Sequence, residues 1–136
     1  MSNVMAIGEY KGGLRTEAKH LRSGQAIITD APVDNLGKGE AFSPTDLVCA
    51  ALSSCMMTIM GQVADREGID LRGLKTEIVK VMASNPRKIA EIGITFTHNN
   101  LSATDVQKQK LMNAARTCPV ALSLDADLKQ TVVFNF

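Results

Sequence analysis

Eighteen consecutive residues, 47–64, carry no charged side chain, and the segment just ahead of them reads Ser43-Pro44-Thr45-Asp46. Together these features constrain the fold more than any other part of the chain. Ser43 can cap a helix, Pro44 suits its first position, and Asp46 complements the positive end of the dipole. Gly68 follows Glu67 and is free to adopt the left-handed conformation that stops a helix. A helix is predicted over 44–67. The uncharged run is near the lower length limit for crossing a membrane. However, Ser53, Ser54, Thr58, Gly61 and Gln62 interrupt it. A helix buried in protein, not in a membrane, is expected. Apolar residues lie on nearly every side of it, which suits the middle of a domain or a subunit interface.

The chain has 136 residues, enough for one domain with a real core, so a single domain over 1–136 is expected. Its 45% hydrophobic and 21% charged content excludes intrinsic disorder. A net charge of +1 and only five aromatic residues offer nothing for a polyanion, so nucleic acid is not an expected partner. The first ten residues lack a basic region followed by an apolar one, which makes a secretory signal unlikely and the cytoplasm the default compartment. Three cysteines (Cys49, Cys55, Cys118) without a CxxC pair do not make a zinc framework or a disulfide set. His20 and His98 lack ligand spacing, so no metal and no cofactor are expected.

Around the long helix the pattern is extended. Leu14, Thr16, Ala18 and His20 alternate with Arg15, Glu17 and Lys19, and 25–29 (QAIIT) reads as the returning strand. Gly12-Gly13 and Ser23-Gly24 supply turns, and 30–42 forms a loop of a length that is often functional. Beyond the helix, Leu74, Thr76, Ile78 and Lys80 alternate, Asn85-Pro86 turns, and Ile92, Ile94 and Phe96 line a further strand. Ser102 is read as the cap of a second helix over 103–117. Pro119 interrupts it, a short helix follows over 120–125, and 131–136 closes as a strand. Strands, helix, strands, helix, strand define an α+β domain.

From the residues alone, Cys55 reads as a small buried hydrophobe or as a working thiol. Cys49 lies six residues earlier, about 9 Å along the axis, too far for a disulfide while the helix stands, and reads as core. Cys118 directly precedes Pro119, which puts its thiol near a helix N-terminus, where the dipole favours thiolate. Cys55, deep in its helix, needs a cation from elsewhere to ionise. Arg15 and Arg22 are the candidates.

The strings FSPTDLVCAALSSCM (42–56) and ARTCPV (115–120) resemble the two cysteine motifs of the OsmC/Ohr family, and the 63-residue spacing of Cys55 and Cys118 agrees. The likeness covers essentially the whole chain and is nearest the YhfA-type branch. It implies an intertwined homodimer with antiparallel sheets wrapped around a long central helix. It also implies a thiol peroxidase that uses a small hydroperoxide and an external thiol reductant. By resemblance, Cys55 is the peroxidatic cysteine, Cys118 the resolving one, and Arg15 the activating arginine. The family's better-known peroxidases carry a glutamate ten residues before the reactive cysteine. Thr45 stands there in this chain, and Glu40, in the preceding loop, is a carboxylate that could reach in. Two rival readings are a non-catalytic protein holding a small ligand in an apolar interface pocket, and hydrolase-like chemistry at Cys55. Packing against a partner subunit is the expected role of Met56, Met57 and Met60.

Overall fold

Ser43 caps the long helix as the sequence predicts. In the computed structural model, which describes residues 3–136, its hydroxyl accepts from the Asp46 N–H (3.1 Å) and its own N–H donates to the Asp46 carboxylate (3.0 Å). Helix α1 then runs Pro44–Glu67, and Gly68 stops it at φ 70°. Among the described residues α1 is the one helix long and apolar enough to cross a membrane. Its burial is nonetheless one-sided: Cys49, Leu52, Ser53, Met56, Met60, Val63 and Ala64 recur at three- and four-residue steps. Ala51, Ser54, Thr58 and Gln62 are exposed.

The chain divides into two compact units, one ending at Leu47 and one spanning Val48–Phe136. In the second, strands β4 (Lys75–Ala83), β5 (Lys88–Thr97) and β6 (Lys129–Asn135) form a sheet in that order. Ile92, Ile94 and Phe96 of β5 are buried in one core with the α1 face, and Phe96 stacks on Phe134 at 5.3 Å between centroids. Met56 and Met60 are spent inside this core, so neither needs a partner subunit to bury it, contrary to the expectation. β4 and β5 are antiparallel, whereas β5 and β6 are parallel. Helices α2 (Asp105–Arg116) and α3 (Pro119–Ser123) provide the crossover that parallel pairing requires. The sheet is therefore mixed, not purely antiparallel. α2 also starts later than expected. Thr104, not Ser102, caps it, because Thr104 and Gln107 complete a reciprocal capping box.

The first unit carries an antiparallel sheet of β1 (Ala6–Gly12), β2 (Arg15–His20) and β3 (Ala26–Asp30), in sequence order. β1 escapes a periodicity reading: Ala6, Gly8 and Tyr10 occupy one face, and Ile7 shares the other with Glu9 and Lys11. Leu14 belongs to the turn at φ 60°, and β2 begins one residue later, at Arg15. Tyr10, Ile7, Ile27 and Ile28 leave large apolar surface exposed on this sheet. A single 3₁₀ turn, Val33–Asn35, lies in the long loop that follows.

Candidate active site

Folding of the second unit brings together two thiols 63 residues apart in sequence. Cys55 lies at the edge of the buried face of α1, one position before Met56, and is half-buried. Cys118 is fully buried at the N-cap of α3. The two thiols are near enough to interact, and Cys55 is one of the groups that raise Cys118. All three cysteines are free thiols, and Cys49 is buried in the core as expected.

The Cys118 thiolate is favoured by its helix N-terminus as expected, but burial outweighs that effect. Its sulfur does accept from the Ala121 N–H at 3.4 Å, as the N-cap position dictates. Burial nevertheless pushes this thiol above its ordinary value, and the neighbouring Cys55 pushes the same way. Loss of hydration outweighs the bonds from Ala121 and Val120. Five residues of α3 have little dipole to set against it. Cys118 is a protonated neighbour of Cys55.

The first unit builds a second constellation, around Arg15. The β2–β3 register sets Arg15 opposite Asp30. The guanidinium grips the Asp30 carboxylate with two bonds, Nε to Oδ1 at 2.7 Å and Nη2 to Oδ2 at 2.8 Å. Nη2 also donates to Glu40 Oε1 at 2.9 Å, and the Glu40 N–H donates to Asp30 Oδ2 at 3.1 Å. Asp30 is fully buried, and the Arg15 guanidinium beside it holds its carboxyl below the ordinary 3.8, against the opposing effect of burial. The same bond to Asp30 raises Arg15 further above its already high value. Bidentate pairing fixes the plane of a guanidinium as well as its charge.

Glu40 reaches Arg15, as the sequence suggested it could, while Asp30 was read only as the first loop residue. A signal for it existed: counting outward from a turn centred between Arg22 and Ser23 pairs Arg15 with Asp30. Thr45 lies beside Ser43, with 3.2 Å between the hydroxyls. Arg22 occupies the exposed turn after β2.

The loop is folded tightly to deliver Glu40. Gly37 N–H bonds the Pro32 carbonyl at 2.9 Å and Gly39 N–H bonds the Ala31 carbonyl at 3.2 Å. A Cβ on Gly37 would lie 1.8 Å from the Ala31 oxygen, so only glycine fits that position.

The family profile for OsmC-like proteins matches residues 37–132, and the chain belongs to that family. It is 47% identical to a Psychrobacter arcticus protein named for osmotic stress induction and detoxification response, with a TM-score of 0.95 over 99% of this chain and 98% of the other. An OsmC-like protein of unknown function from Vibrio cholerae is 18% identical, with a TM-score of 0.76 over 98% and 100% of the two chains. A Legionella pneumophila organic hydroperoxide resistance protein, OsmC, is 15% identical, with a TM-score of 0.74 over 100% of both. These two share the fold. No curated protein matches the chain.

Proposed function

We propose that this protein is a cytoplasmic, homodimeric thiol peroxidase that reduces organic hydroperoxides or hydrogen peroxide through Cys55 and Cys118. The observation that carries this reading is that folding puts the two thiols within interacting range, one half-buried and one fully buried. The Cys55 thiolate attacks the outer peroxide oxygen. The O–O bond breaks, the alcohol leaves after taking a proton, and Cys55 becomes a sulfenic acid. Cys118 then attacks the Cys55 sulfur, its proton leaves with the hydroxyl as water, and a disulfide forms. Two equivalents of an external thiol return both cysteines to the reduced state and are themselves oxidised to a disulfide. A resolving thiol that keeps its proton until the sulfenate forms does not compete for the peroxide, which suits the raised Cys118.

The reading assigns Arg15 to the Cys55 thiolate as its counter-charge. Asp30 and Glu40 are the positioning carboxylates that make up for Thr45. Membership of the OsmC-like family and the hydroperoxide resistance of the Legionella relative favour the same class of reaction. Turnover of cumene hydroperoxide with a dithiol reductant tests it. Cys55→Ser abolishes turnover, Arg15→Ala slows it by orders of magnitude, and Cys118→Ala leaves a sulfenic acid that dimedone traps. Full turnover by the Cys55→Ser protein contradicts the proposal.

A further inference from the structure

Neither the thiol pair nor the arginine clamp accounts for a polar cavity of about 560 Å³ in the second unit, where the turn before β4 meets the turn after β5. That volume lies in the range of small-molecule sites. Its wall holds no large apolar side chain. Asp70 grips Arg72 by one edge of the guanidinium, with Nε to Oδ1 at 3.0 Å and Nη2 to Oδ2 at 2.8 Å. Five N–H groups belong to a guanidinium, so three stay available on its other edge. The Asp70 carboxyl, pulled down to about 2 by this pairing, is charged and committed.

The two turns are tied to each other. Asn100 N–H donates to His98 Nδ1 at 3.1 Å, so the ring proton sits on Nε2, which donates to the Arg72 carbonyl at 2.9 Å. Lys75 adds a second cation to the wall, and among the described residues no carboxylate pairs with it. Asp70 is the wall's only carboxylate, which leaves one positive charge uncompensated. The Ser102 hydroxyl and Asn99 amide add neutral donors.

We propose that this cavity binds the phosphate group of a small soluble phosphate ester, through the free edge of Arg72 and the Lys75 ammonium. An oriented guanidinium fork next to a point charge matches a tetrahedral oxyanion. A rim without large apolar side chains favours a dissolved ester over a lipid headgroup, whose acyl chains need apolar surface. The assignment stands apart from the peroxidase reading.

Titration of the isotope-labelled full-length protein with glycerol 3-phosphate, followed by amide NMR, tests it. Saturable shifts at His98, Asn99 and Asn100 are expected. Lys75→Ala and Arg72→Gln should each weaken binding by about tenfold or more, with the rest of the spectrum unchanged. Equal shifts from sodium chloride at matched ionic strength, or unaltered affinity in both variants, overturn the proposal. So does flotation with phosphatidic acid vesicles that depends on Lys75 while glycerol 3-phosphate gives no shifts.

Discussion

Asp30 carries a testable electrostatic consequence at a single residue. Its carboxyl titrates below the ordinary 3.8 in the folded chain because it faces Arg15. The folded state therefore holds on to its negative charge while the unfolded chain takes up a proton. The pair's contribution is complete above that ordinary value and disappears as pH falls through the lower folded one. The urea midpoint of the native protein should drop between about pH 5 and pH 3, and Asp30→Asn should flatten that drop. An unchanged slope in the variant would remove Asp30 from the clamp. Asp30 also shows what a linear reading lacks. Its identity is visible, but its meaning comes from the β2–β3 register, which pairs it with a residue fifteen positions away. Cys118 shows the converse: its helix-start position was legible next to Pro119, and its burial, which decides the sign of its shift, was not.

Element spans set by local chemistry were legible, and the partner and direction of the closing strand were not. α1 matches its predicted span because Ser43, Pro44, Asp46 and Gly68 all act within one turn of its ends. α2 follows the same rule through Thr104, so Thr104→Ala should lower stability by about 1 kcal/mol in chemical denaturation, with Ser102→Ala near neutral. Reversal of that order would relocate the cap. β6 pairs in parallel with β5 because the crossover returns the chain, and nothing in its own sequence announces that direction. The 30–42 loop makes a sharper demand. Gly37→Ala forces a Cβ into the Ala31 carbonyl, so the loop must open and Glu40 must leave Arg15. That variant should lose peroxidase turnover while keeping the helical signal of α1; wild-type turnover would show that Glu40 is dispensable.

On the scale of the whole molecule, the sheet of the first unit sets the requirement. A three-stranded sheet exposing Tyr10 and Ile27 on one face, and Ile7 and Ile28 on the other, needs further cover to be stable. A second copy of the chain is the cover we propose. Sedimentation should give twice the 14.6 kDa chain mass, and Ile27→Asp should shift the protein towards monomer. A monomeric native protein would refute the homodimer and leave that surface unexplained. The central claim, that Cys55 and Cys118 form one redox pair, has a more direct test. One equivalent of cumene hydroperoxide is added to the reduced protein, and thiols and peptide links are mapped by mass spectrometry. The account predicts loss of two of the three thiols within seconds and a Cys55–Cys118 disulfide, with Cys49 still free. Three intact thiols after minutes, or a disulfide involving Cys49, would contradict it.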